Sequence, residues 1–370
     1  MTSTVDVTVP ADLLALLAEN AASCDREGVI VPENIEALTR AGMFRLLAPR
    51  SHGGLEVTPA RFVEICSELG RACGSSAWVV SIMNSCTWAL SRFPAGVREE
   101  LFAGPSGPMV CGVVAPSGEC RNRQDHLEIT GSWAYASGCL HSEWALLGVR
   151  QVNDVAETVG LGVALVPMAE LTIERTWNAV GLCGTGSHTL QAKRVQVPPA
   201  NVIGMDVAAS GIVSPSIPML YRSALVPILA LSLAGPLLGM AFGALDRFDR
   251  ANPSSRVDSS AAATTARTQV TSTIESIRNT ALAAADETET WAARATGMPP
   301  LDQVKVKLDI ATVARDGRAA VDGLLDIAGV RGLSRDSDLA RCWRDIAVGS
   351  RHGMLNYQRV SAEYGRLLLG

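Results

Sequence analysis

The chain has 370 residues, with 32 Lys and Arg against 37 Asp and Glu, a formal net charge of -5. That balance excludes a basic nucleic-acid binder on bulk charge, and a hydrophobic share of 48% excludes disorder as the main state. At roughly 100–200 residues per domain the length predicts two or three domains, and an aromatic share of only 5% beside 33 Gly favours helices packed closely through small residues.

The first hundred residues read as helices. Ala11–Cys24 places Leu13, Leu14, Leu16 and Leu17 along one stripe, and Pro32–Gly42 opens on Pro and closes on Gly. Thr58-Pro59 is a cap followed by Pro, starting a helix with Phe62, Ile65, Cys66 and Leu69 on one face. Gly74–Phe93 continues as a long apolar helix stopped before Pro94.

From about Pro105 the pattern becomes short β-rich runs between turns: Val110–Ala115, Leu127–Thr130, Trp133–Ala136, Trp144–Arg150, Val159–Val166, Leu171–Thr176 and Leu190–Val197. Such spacing predicts a compact antiparallel sandwich or barrel. Helical patterning returns after Pro198-Pro199 and predicts four bundle helices, Arg222–Arg250, Ser259–Ala295, Pro300–Gly329 and Asp336–Leu369. The expected division is a helical domain over 1–104, a β domain over 105–205 and a helical bundle over 206–370.

Ser223–Leu245 carries no charge over 23 residues, enough to span a bilayer. Pro227, Pro236 and the glycines at 235, 239 and 243, with no aromatic belt or basic cluster at either end, favour a helix buried in a bundle. The N-terminal stretch has Asp6 and Asp12 and no basic leader, predicting a cytoplasmic protein. Nine scattered cysteines, without CxxC or zinc-finger spacing, read as reduced and mostly buried, and no metal site is expected.

Three segments carry candidate chemistry. Gly131–Trp144 (GSWAYASGCLHSEW) reads as a strand, a Ser137-Gly138 turn and a returning strand, where a hydroxyl and free amides can face a ligand; alone it is also an ordinary hairpin. Thr176–Gly204 holds a hydroxyl-rich loop, Gly184-Thr185-Gly186-Ser187, without the Lys of a P-loop or the βαβ setting of a Rossmann turn. Trp177 before it is either core or a flat wall for a planar cofactor. Ala340–Asn356 reads as a helix with His352 near its end, a residue type able to take or give a proton near neutral pH.

Taken together and in this order, these segments resemble the acyl-CoA dehydrogenase superfamily, specifically its flavin-dependent monooxygenase branch of two-component aromatic hydroxylases and dibenzothiophene monooxygenases. Ile35–Val57 and the S-x-A-W run in Gly74–Ser81 extend the resemblance over nearly the whole chain. It implies a mainly α protein with a central β domain: an N-terminal helical domain, a β-barrel or sandwich and a C-terminal four-helix bundle, assembled as a homotetramer with flavin between β domain and bundle. It places Ser137 near the flavin N5, Trp177 beside the ring, and His352 as the C-terminal active-site histidine. Trp133, Gly138, Thr185 and Ser187 join them as cofactor contacts, and Arg331 with Arg267 or Arg256 as candidates for the flavin phosphate.

Within the superfamily the branches differ in one group. A thioester dehydrogenase needs a carboxylate to take the substrate's α-proton, yet the corresponding stretch is Ala347-Val348-Gly349-Ser350, and no Glu lies between Gly329 and Tyr357. The resemblance therefore implies a monooxygenase hydroxylating a small organic, polycyclic aromatic substrate through a flavin C4a-(hydro)peroxide formed from reduced FMN or FAD and O2. No NAD(P)H-binding fingerprint is present, so a separate NAD(P)H-dependent flavin reductase is the expected partner. Phenol-hydroxylating relatives often carry a substrate-facing His at the position of Cys86; the small residues around it suit a larger substrate, with Ser85, Cys86, Trp88 and Tyr221 as expected contacts. N-hydroxylation of an amine, a thioester dehydrogenase or oxidase, and a flavin-free oligomeric scaffold are the alternatives.

Overall fold

A computed structural model describes residues 7–104, 107–212, 214–251 and 261–370, and the side chains of all of these except 261–263. Six helices come first: α1 (Ala11–Glu19), α2 (Ala21–Glu27), α3 (Pro32–Arg40), α4 (Pro59–Ala72), α5 (Gly74–Ala89) and α6 (Ala95–Leu101). The single helix expected over 11–24 is divided at Asn20, whose side-chain amide leaves the helix direction to donate to Asn34 Oδ1 at 2.8 Å. At the start of α4 the Thr58 hydroxyl accepts from the Arg61 amide at 3.2 Å, the cap that the Thr-Pro pair predicts. α5 ends four residues before Phe93, in a short 3-10 turn over Leu90–Arg92.

The middle of the chain forms seven strands, β1 (Val110–Asn122), β2 (Leu127–Ala136), β3 (Trp144–Val152), β4 (Thr158–Pro167), β5 (Thr172–Glu174), β6 (His188–Val197) and β7 (Val202–Gly204). They make one sheet in the order β5-β6-β2-β1-β3-β4-β7, with β5 and β7 at its ends, so the central β domain is present but not purely antiparallel. The two runs at Leu127–Thr130 and Trp133–Ala136 are one strand, and β1 lies between β2 and β3, paired parallel with β3. Gly131–Trp144 is therefore a crossover and not a hairpin. Alternation sorts both faces of β3 and β4: Ala145, Leu147, Val149, Ala164 and Val166 pack in the sheet's own core, while Leu146, Val163 and Leu165 face Leu90, Phe93 and Leu101.

The last third is helical: α7 (Met205–Ala209), α8 (Leu225–Ala251), α9 (Ala261–Arg294), α10 (Pro300–Ala328), α11 (Asp338–Gly349) and α12 (Tyr357–Leu369). The helix expected over 336–369 is broken between Gly349 and Tyr357, and this break carries His352. α8 contains most of the uncharged stretch; 83% of its most apolar 18 residues are buried inside the protein, so it is a core helix rather than one presented to lipid.

The composition of α8 follows from how closely it meets α4. A Cβ on Gly239 would lie 2.3 Å from the Ser67 carbonyl, one on Gly235 2.5 Å from Cys66 Cβ, and one on Gly243 2.9 Å from the Arg71 carbonyl. Glycines one turn apart thus let the two backbones touch. Pro236 cannot bond back to the Ser232 carbonyl, and the buried Ser81 hydroxyl of α5 donates to that carbonyl instead. Arg247, buried on the next turns, caps α4 by donating to the carbonyls of Arg71 and Ala72 at 2.9 and 3.0 Å. All nine cysteines are free, eight of them buried and Cys183 half-buried.

Candidate functional site

The site is built where the end of β2 meets α5. Near the end of β2 the register against β6 slips between Trp133 and Ala136, and Tyr135 takes a positive φ of 68° with its ring 72% exposed. Ser137 and Gly138 follow. Gly138 has φ 77°, and a Cβ there would lie 2.7 Å from Met83 Cε and 2.9 Å from Val79 Cγ1; glycine is what lets this turn seat on α5. Its amide donates to the Thr185 carbonyl at 2.9 Å, tying the turn to the 183–187 loop.

Four buried side chains form one hydrogen-bonded line. Trp78 Nε1 donates to Ser137 Oγ at 3.2 Å, Ser137 Oγ meets Ser187 Oγ at 2.8 Å, Ser187 Oγ meets Thr185 Oγ1 at 2.7 Å, and Thr185 Oγ1 donates to the Leu182 carbonyl at 2.8 Å. The two fixed ends set the direction of every bond. Thr185 uses its proton on a carbonyl, so Ser187 donates to Thr185 and Ser137 donates to Ser187. Ser137 Oγ is left with one open position, and it is an acceptor.

The hydroxyl-rich loop is closed, with Thr185 and Ser187 buried in this line. Trp177 is half-buried at its edge. Its indole N–H donates to the Leu182 carbonyl at 3.0 Å, its amide to His188 Nδ1 at 3.1 Å, and Tyr135 stands edge-on to it with ring centroids 6.1 Å apart. Leu182, with φ 51°, receives bonds on its carbonyl from the Trp177 indole, the Thr185 hydroxyl and the Thr185 amide, and donates its own N–H to Asp345 Oδ1 of α11 at 2.6 Å. Burial pushes the Asp345 carboxyl up to about 7, against the lowering effect of the Leu182 N–H.

His352 reaches the same place from the break after α11. It caps the 3-10 turn Gly353–Leu355, its Nδ1 accepting from the Met354 amide at 3.3 Å, and its ring lies 6.0 Å from that of Trp78. The bond at Nδ1 assigns the ring proton to Nε2. The ring is exposed on one side and surrounded by protein on the others, and this surrounding mass pushes its pKa well below that of a free imidazole. Neutral imidazole is the form at pH 7. Ile82, Val348 and Met354 are half-buried apolar neighbours packed on the same core as Trp78 and Leu182.

The structure brings together Ser137, Gly138, Trp177, Thr185, Ser187 and His352, and adds Trp78, Leu182 and Asp345. Trp78 stands in the S-x-A-W run and Asp345 in the Trp343-Arg344-Asp345 run, but neither residue type announces a role by itself; a Trp and an Asp on helices read as core and surface.

Other expected contacts are corrected. Trp133 has no exposed surface; it fills the sheet's core beside Gly118 and Gly131 and donates to the Gly148 carbonyl at 2.8 Å. Trp88 is fully buried and donates to the Leu220 carbonyl at 3.1 Å, and Tyr221 donates to the Leu47 carbonyl at 2.8 Å. Ser85 is bonded to the Ile82 carbonyl at 2.8 Å, and Cys86 packs on Gly112, where a Cβ would lie 2.7 Å from its sulfur. These four join α5 to its surroundings and leave no surface for a substrate. Arg267 is held in a two-point pair with Asp249 at 2.8 and 2.5 Å, about 25 Å along α8 from Ser232 at 1.5 Å rise per residue. Arg331 is not among the corrected contacts; it lies exposed on the turn Gly329–Leu333, at the opposite end of α11 from His352. Arg256 lies outside the described residues.

Two family descriptions match the chain: acyl-CoA dehydrogenase, N-terminal domain, over residues 13–95, and acyl-CoA dehydrogenase, C-terminal domain, over residues 231–357. The chain is 28% identical over 369 residues to the flavin-dependent monooxygenase oxygenase subunit HsaA of Rhodococcus jostii (strain RHA1), covering 95% of each protein. It is 28% identical to the oxygenase component of the FADH(2)-dependent resorcinol hydroxylase of Rhizobium sp. (strain MTP-10005), covering 91% of this chain and 87% of the relative. Among solved structures, XiaF from Streptomyces sp. in complex with FADH2 and glycerol superposes with a TM-score of 0.92 at 27% identity, covering 96% of this chain and 92% of XiaF.

Proposed function

The chain belongs to the acyl-CoA dehydrogenase superfamily, in its flavin-dependent monooxygenase branch, and from that membership we propose that it hydroxylates an aromatic substrate with reduced FAD and O2. The observation that carries this reading is the direction of the hydroxyl line, which leaves Ser137 Oγ as an acceptor. The N5 of a flavin is a donor when reduced and an acceptor when oxidised, so Ser137 fits the reduced form. Trp177 offers a flat half-buried wall with its indole edge fixed, and Trp78, Leu182 and Leu237 supply an apolar surround. These features fit an isoalloxazine.

Once bound, reduced flavin supplies the activated oxygen atom taken from O2. The protein's own part is to orient the ring edge through Ser137, to keep water away with the packed core beneath Trp78, and to place a proton-carrying group opposite. His352, neutral and with its proton on Nε2, can donate a hydrogen bond from that N–H to a developing oxyanion. Val348, where a thioester dehydrogenase would need a carboxylate, is a partly buried apolar residue on the core that holds Trp78 and Leu182. Ile82, Val348 and Met354 offer an apolar surface to a substrate ring. The argument for a polycyclic substrate drawn from the small residues at 85–87 falls away, since those side chains are buried.

A separate NAD(P)H-dependent reductase would deliver the flavin, and FAD is preferred over FMN because both the resorcinol hydroxylase relative and the XiaF complex carry FADH2 in their names. Cytoplasmic location and a homotetramer remain part of this proposal, with exposed Arg331 free for a flavin phosphate and Arg267 committed to Asp249. The test supplies FADH2 from a reductase under 18O2 with a panel of aromatics. One labelled oxygen is expected in the product, and His352→Ala should divert at least nine-tenths of the reducing equivalents to H2O2. Product without label, or reaction with oxidised FAD alone, would overturn the reading.

A further inference from the structure

The hydroxyl line ends on the Leu182 carbonyl, and Leu182 is held from another part of the molecule. A left-handed conformation crowds the Cβ of any residue other than glycine against the backbone, and Leu182 adopts one at φ 51°. Its carbonyl accepts from Thr185 Oγ1 and Trp177 Nε1, and its N–H donates to Asp345 Oδ1 at 2.6 Å. The peptides on both sides of Leu182 are thus occupied, one by the flavin-edge residues and one by α11.

Asp345 sits where loop, α5 and α11 converge. A Cβ on Gly181 would lie 2.1 Å from the Arg344 carbonyl, so the loop backbone rests directly on α11, and a Cβ on Gly74 would lie 3.1 Å from Asp345 Oδ2, at the start of α5. No arginine bridges the carboxyl among the described residues: Arg341 pairs with Asp338 and Arg344 with Asp25. Behind it a cavity of about 10 Å³ is lined by Asp25, Cys73, Arg247 and Arg341. The Leu182 N–H is the group that meets Asp345 from the loop.

We propose that Asp345 is a positioning residue for the flavin edge: by holding Leu182 it fixes Trp177 and the Thr185–Ser187–Ser137 line relative to the helix end that presents His352. A hydrogen bond to a carboxylate is stronger than one between neutral groups, and here it stabilises a strained residue. The proposal rests on the flavin reading for its consequence but not for its geometry.

The experiment compares Asp345→Ala, Asp345→Asn and Arg344→Ala, measuring amide hydrogen exchange in flavin-free protein, FADH2 affinity and the thermal midpoint. Asp345→Ala should speed exchange at Leu182, Cys183 and Thr185 at least tenfold and weaken FADH2 binding at least tenfold. Asp345→Asn, whose amide oxygen can still accept, should stay within threefold on both. Arg344→Ala, on the same helix as Asp345, breaks the ion pair to Asp25 of α2 and should lower the midpoint while leaving loop exchange and affinity within threefold. If Asp345→Ala does not fold, Asp345→Ser, too short to reach Leu182, takes its place with the same expectation. Unchanged loop exchange in the short variants, or the same changes in Arg344→Ala, overturns the positioning role. Faster exchange in a protein that binds no flavin even as the parent upholds the joint and overturns the flavin reading.

Discussion

Two clusters that sequence singles out for ligand contact meet opposite fates. Ser85, Cys86, Trp88 and Tyr221 lie within α5 and beside its C-terminal half, all at most 6% exposed, each with its polar group satisfied inside the protein or its sulfur packed on glycine. Ser137, Thr185 and Ser187 are as buried, yet their hydrogen bonds form a directed line with one acceptor position left over. Burial is the same in both, and the difference is in bookkeeping of donors: the first cluster is closed, the second is one bond short.

The largest effect that can break this contrast is on stability in the closed cluster. Trp88→Ala removes a fully buried indole and should cost about 3–5 kcal/mol, read by urea unfolding, while the folded fraction keeps its flavin affinity within twofold. A stable Trp88→Ala protein with altered product would return Trp88 to the substrate site.

In the open cluster the order of effects reverses. Ser137→Ala should cost about 1–3 kcal/mol of stability, because Ser187 keeps Thr185 as its acceptor while the buried Trp78 N–H loses its own. Binding of reduced FAD should weaken at least tenfold, with a smaller loss for oxidised FAD, since the missing acceptor faces only the reduced ring. Equal losses for both redox states would deny the line its direction.

The smallest effect concerns pH. Burial raises the Asp345 carboxyl from 3.8 to about 7, so its contribution to stability is complete below pH 4, is lost as pH rises to about 7, and is level above that. Asp345→Asn does not titrate. Its thermal midpoint relative to the parent should climb between pH 4 and 7 and stay flat from 7 to 8. A gap that is constant across the whole range would mean Asp345 is charged throughout and better solvated than its place in the fold implies.

Much of this protein is legible from residue pattern because the forces involved are local. Cap, Pro and apolar spacing give α4, the β-rich runs give most of the strands, and the glycines of α8 announce close packing, which the contact with α4 supplies. Ser137, Trp177 and His352 are candidates through the resemblance of their segments, and the fold brings them together. Tertiary structure alone decided the rest. Strand order placed β1 between β2 and β3, a non-local pairing that no run of residues encodes. Whether Trp88 or Trp133 faces a ligand or the core depends on what packs against it. The link from Asp345 to Leu182 joins residues far apart in the chain, and neither side has a signal until the loop lies down on α11. Sequence gives the hydroxyls; only the fold gives the direction in which they point their protons.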